Sequence, residues 1–99
     1  MDEVPTRQHA EAHVKAVLED DTESIENDFA PEIRDRVGQI AKTLPQPTTD
    51  AEIKKLDMED DHANVEFRYS NQDDSTIIRT RWEERDGRPM IVEASEALE

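Results

Sequence analysis

Two hydrophobic periods divide the chain. In the first half, apolar residues recur at helical spacing. Ala10, Val14, Val17 and Leu18 fall at i, i+4, i+7 and i+8, which predicts a helix over about residues 6–19. Asp20-Asp21-Thr22 ends that pattern and can cap a short second helix carrying Ile25 and Phe29. Pro31 suits the first turn of a third helix, whose stripe is Ile33, Val37, Ile40, Ala41 and Leu44. Gly38 lies inside that stripe at a cost of about 1 kcal/mol against Ala, so a close helix–sheet approach is expected there. Pro45-Gln46-Pro47 then stops the helical run, and helices are expected only within about residues 6–44.

The second half alternates with period two, the mark of strands with one buried face. Ala63, Val65, Phe67 and Tyr69 share one side; Ile78, Thr80 and Trp82 share another; Met90, Val92 and Ala94 a third. A first strand near residues 53–59 carries Leu56 and Met58 inward, with Lys54-Lys55 blurring its pattern. Turns at Asp60-Asp61 and Gln72-Asp73 would pair Met58 with Ala63, Leu56 with Val65, Phe67 with Ile78 and Val65 with Thr80. Those registers also place Lys55 opposite Glu66, and Glu66 opposite Arg79, on the outer side.

For the last hairpin, a two-residue Asp86-Gly87 turn would put charged residues among the core residues, because a one-residue slip turns every side chain over. A three-residue loop, Arg85-Asp86-Gly87, with Gly87 left-handed, instead opposes Trp82 to Met90, Thr80 to Val92 and Ile78 to Ala94. It also sets Arg79 against Glu93, and that register is the expectation. The expected fold class is α+β: two to three N-terminal helices on a curved four-stranded antiparallel meander over about residues 51–96. One domain over residues 1–97 is expected, with Leu98-Glu99 read as vector-derived.

Composition narrows the function classes. With 33% hydrophobic and 4% aromatic residues, the core must be thin. The net charge of −14 argues against nucleic-acid phosphates as a partner and is compatible with a basic protein partner. The chain has no cysteine, hence no thiol nucleophile and no cysteine-ligated zinc. Residues 1–20 do not read as a signal peptide and no apolar run reaches membrane-spanning length, so a cytoplasmic protein without membrane association is expected.

Candidate chemistry is sparse. The inward face of the meander holds no Asp, Glu or His; Tyr69 is its titratable group and Thr80 its other hydroxyl. His13 lies beside the apolar stripe of the first helix and is the candidate base. His9 and His13 have the i, i+4 spacing that can present two imidazoles to a metal, but no third ligand is evident, so no metal and no cofactor is expected. Phe67, Tyr69, Ile78, Thr80, Trp82 and Met90 are the candidate ligand-pocket residues. On the outer face, Ile77 and Ile91 lie among Arg68, Arg79, Arg81 and Glu93, which makes these six the candidate homodimer interface.

Helices followed by a meander that closes on Trp82-Glu-Glu-Arg-Asp-Gly-Arg-Pro-Met-Ile-Val92, with the break Asp20-Asp21-Thr22-Glu-Ser-Ile25 after the first helix, resembles the nuclear-transport-factor-2-like superfamily. That cystatin-like α+β group includes ketosteroid isomerases, scytalone dehydratase and polyketide cyclases. The resemblance spans about residues 6–96, and the chain looks like a short member. It implies a homodimer and an interior cavity for a small apolar ligand. The isomerase branch uses a carboxylate base, and no inward carboxylate on the sheet matches it. The function expected first is therefore a non-catalytic module that binds a small ligand or a protein. The alternative is an isomerase or lyase of the ketosteroid-isomerase or polyketide-cyclase type, with His13 as base and Tyr69 as hydrogen-bond donor.

Overall fold

The structure is a computed structural model and describes residues 2–97. The positions Leu98-Glu99, expected to be vector-derived, lie outside the described residues. Helices α1 (Glu3–Leu18) and α2 (Thr22–Asp28) are followed by a 3-10 segment, Pro31–Arg36, that runs into a short α3 (Val37–Ala41). Strands β1 (Asp50–Met58), β2 (Ala63–Ser70), β3 (Ser75–Arg85) and β4 (Arg88–Ala97) form one antiparallel sheet in the order β1-β2-β3-β4. This is the expected α+β architecture, with the helices packed on one face of the meander. No helix among the described residues is long and apolar enough to cross a membrane.

Helix α1 buries Thr6, Ala10, His13 and Ala16, while Val14 and Val17 are half-buried and Leu18 is 41% exposed. The buried stripe is thus rotated from the one the sequence predicts, and His13 stands near its middle. Asp20 ends α1 in the left-handed region (φ 58°), and the Asp21 N–H donates to the Ala16 carbonyl at 2.9 Å. Asp21 then caps α2: its carboxylate accepts from the Ser24 backbone N–H at 3.3 Å and from the Ser24 hydroxyl at 2.8 Å.

Two helical expectations are corrected. Phe29 lies outside α2, in extended backbone that bridges Ile91 of β4 in parallel, and the Ala30 N–H donates to the Ile91 carbonyl at 2.7 Å. Gly38 makes no close approach to the sheet: a Cβ built there would meet nothing within 4 Å.

The registers of β1–β2 and β2–β3 are those expected, including Met58 opposite Ala63, Leu56 opposite Val65, Phe67 opposite Ile78 and Glu66 opposite Arg79. A bulge between Ile53 and Lys55 explains the blurred lysines, since it leaves Ala51, Ile53, Leu56 and Met58 all packed against the core.

The last hairpin differs from expectation. Arg85 pairs with Arg88 across a two-residue turn in which Asp86 (φ 54°) and Gly87 (φ 82°) are both left-handed, as the twist of a hairpin favours. Trp82 accordingly pairs with Ile91, and Glu83 with Met90. The facing error this would cause is corrected within β4, not in the loop. Val92 bulges out of the ladder, so that Arg81 pairs with Glu93 and Thr80 with Ala94. Ile91 therefore points into the core, fully buried, while Met90 and Val92 lie outside the core cluster.

The core is built on Phe67, Trp82, Ile91, Val65 and Ala63, all with no exposed surface, together with Phe29, Tyr69 and Ile78. Each fully buried aliphatic or aromatic side chain contributes about 1.5–3 kcal/mol, so a short list of complete burials compensates for the low hydrophobic content. Thr80 makes the polar part of this layer self-sufficient. Its hydroxyl donates to the Val65 carbonyl at 2.7 Å and accepts from the Trp82 indole N–H at 2.8 Å.

Candidate functional site

Between the helices and the sheet lies a cavity of about 320 Å³. That volume falls at the lower end of the range of small-molecule sites. Helix α1 contributes His13 and Val17 to its wall, and Ile25 and Phe29 continue it. The opposite side comes from α3 and the chain that follows, through Val37, Ile40, Leu44 and Pro47. The sheet closes it with Tyr69, Ile78 and Thr80.

His13 is the centre of the arrangement. It is 4% exposed and ringed by aromatics, with centroids of Phe67, Trp82 and Phe29 at 5.4, 6.0 and 6.1 Å. Its Nδ1 lies 2.9 Å from Oδ2 of Asp28, and the other oxygen of Asp28 accepts from Nη2 of Arg88 at 2.7 Å. A carboxylate held by an arginine can only accept, so Nδ1 of His13 is the donor of this hydrogen bond. No buried side-chain nitrogen or oxygen among the described residues lacks a partner, and Nε2 has no protein partner there. This nitrogen is therefore accessible, and His13 lines the cavity.

Tyr69 shares that cavity. It is 3% exposed and stacks on Phe67 with centroids 6.0 Å apart. Burial first, and the charge of Asp28 second, push its phenol well above the usual range, so it stays a hydrogen-bond donor. The Thr80 hydroxyl is occupied by Val65 and Trp82; Tyr69, His13, Thr22, Gln46 and Thr48 are further polar residues of the lining. At the mouth stands Asp20, an exposed residue that also lines the cavity.

Of the sequence-predicted pocket residues, Tyr69, Ile78 and Thr80 line this cavity together with His13. Phe67 and Trp82 are solid core behind it and do not line it. Met90 belongs neither to the cavity nor to the core cluster, because the two-residue turn changes its facing. The residues that sequence reasoning missed are Asp28, Arg88 and Asp20. No local pattern set Asp28 apart from the chain's other acidic residues.

The outer-face residues separate too. Arg79, Arg81 and Glu93 line a shallow groove with Arg36, Asn64 and Glu66, and Arg68 is exposed. Ile91 is in the core, and Ile77 is only 3% exposed within the single chain. The exposed apolar centre expected from Ile77 and Ile91 is therefore absent: one isoleucine faces inward and the other is already covered. Among the described residues, no group of three or more His, Asp or Glu is placed to hold a metal ion.

No protein-family profile matches the chain, and no curated protein matches it by sequence. Two solved structures do. A crystal structure of an NTF-2 like protein of unknown function from Burkholderia xenovorans LB400 matches at TM-score 0.60 and 16% identity, over 94% of this chain and 84% of that one. The fold is NTF-2-like. A solution structure of a SEC-C motif containing protein from Rhodopseudomonas palustris matches at TM-score 0.62 and 18% identity, over 84% of this chain and 71% of that one. At such identities the NTF-2-like likeness concerns the fold, and any activity must be argued from the cavity itself.

Proposed function

We propose that the protein binds a small, largely apolar molecule in the cavity between its helices and sheet. The observation that carries this reading is a largely apolar cavity whose lining brings His13 and Tyr69 together. An acceptor and a donor set in apolar walls orient a ligand, whereas a core that serves stability alone gains nothing from an open imidazole nitrogen. Native mass spectrometry of the freshly purified protein, followed by NMR titration with small aromatic compounds, tests it. Binding should shift the Tyr69 and Ile78 resonances, and Leu44→Trp, which fills the half-buried cavity wall, should abolish those shifts. Shifts that persist in the filled variant would place binding elsewhere and defeat the reading.

A second reading has its own support in the Asp28–His13 pair. A neutral imidazole held by a carboxylate at Nδ1 presents a general base at Nε2, with Tyr69 as the donor that would stabilise developing negative charge. Such a pair would support proton abstraction in an isomerase or lyase of the ketosteroid-isomerase or polyketide-cyclase type, with an imidazole in place of the isomerase branch's carboxylate base. His13→Gln separates the two readings. A carrier shows no turnover before or after the substitution and loses affinity with its acceptor, whereas an enzyme loses turnover by far more than it loses affinity.

A further inference from the structure

The walls of the cavity are uneven in charge. The titratable groups among its lining residues are His13, Tyr69 and Asp20, and the lining includes no Lys or Arg. Asp20 sits at the mouth in left-handed backbone, and its carboxylate enters no ion pair or side-chain hydrogen bond among the described residues. Arg88 is taken up by Asp28 and does not line the cavity.

Resting on the binding reading above, the geometry points to a cationic ligand: a small amine whose apolar body fills the cavity and whose ammonium meets Asp20 at the mouth. Three considerations converge. The Asp20 carboxylate is open to a partner. Phe29 and Tyr69 line the cavity, and an aromatic ring attracts a cation over its face within about 6 Å. The net charge of −14 draws cations toward the molecule, although salt screens that field beyond about 8 Å and leaves the local carboxylate to decide. A carboxylate ligand would meet the same features with the opposite sign and no cation to receive it.

The test uses three probes of one shape and three charges: naphthylmethylamine, naphthylmethanol and naphthoate. Each is titrated by calorimetry at low salt into the wild-type chain and into Asp20→Asn. Asn is isosteric with Asp and tolerates left-handed backbone, so the variant keeps the end of α1 intact. The amine is expected to bind roughly fivefold more tightly than the alcohol, with naphthoate weakest. Asp20→Asn should erase the amine's advantage and leave the alcohol unchanged. Equal affinities for amine and alcohol, unaffected by the substitution, would overturn charge selection while leaving the binding site standing. Failure of all three probes to bind a folded chain would overturn the binding site and the inference together.

Discussion

His13 and Asp28 are 15 residues apart in sequence and 2.9 Å apart in space, and both are buried. Their contact joins α1 to the end of α2, and Arg88 extends it to the hairpin. Replacing Asp28 with Asn keeps the shape but takes the charge from between two partners. Urea unfolding should register a loss of about 2–4 kcal/mol, the cost of breaking a buried, hydrogen-bonded charge. A loss below about 0.5 kcal/mol would mean that the contact is incidental.

Thr80→Val tests the polar element of the sheet core. Valine matches threonine in shape but leaves the Trp82 indole N–H with no acceptor in a fully buried setting. The expected destabilisation is about 1–3 kcal/mol, and Thr80→Ser should cost less because it keeps the oxygen. Trp82 is the chain's one tryptophan, so its fluorescence follows both unfolding curves without interference.

Tyr69 is the chain's one tyrosine, so its ultraviolet titration is equally clean. The unfolded phenol loses its proton near 10.0, whereas burial raises the folded value above this. Stability is therefore full below that pH and falls as the pH climbs from there toward the raised value. Ionisation of Tyr69 should coincide with the loss of the circular dichroism signal. Ionisation in a still-folded chain at ordinary phenol pH would show that Tyr69 is open to bulk water.

Gly38→Ala should stabilise the chain. The residue is exposed in α3, and an added Cβ meets nothing within 4 Å. The helix-propensity difference predicts a gain of about 0.5–1 kcal/mol, read as a raised urea midpoint. At Gly87 (φ 82°) the same substitution should destabilise by about 1 kcal/mol or more, because left-handed backbone disfavours a Cβ.

The sequence made the first two strand pairings legible because opposite charges and apolar residues agreed on one register. Lys55 opposite Glu66, and Glu66 opposite Arg79, left no competing alignment. The third pairing was not legible, since a bulge can restore the facing of a strand anywhere along it and Val92 carries no mark of one. His13 could be singled out by its position beside a helical stripe. Asp28 could not, being one of 26 acidic residues until tertiary packing brought it beside the imidazole. The third helix began as 3-10 backbone, a distinction that apolar spacing alone does not carry.

The short bridge from Phe29 and Ala30 onto β4 has a consequence for how molecules of this chain meet one another. A meander ends in two outermost strands whose free backbone groups invite strands from other chains. On the β4 side, the Ala30 N–H already occupies the Ile91 carbonyl at 2.7 Å. On the β1 side, the bulge beside Ile53 and the exposed Lys54 and Lys55 interrupt the ladder and place charge where a neighbouring strand would lie. Each margin thus carries a local feature that disfavours a neighbouring strand: the bridge at Ile91 on one side, the exposed lysines on the other.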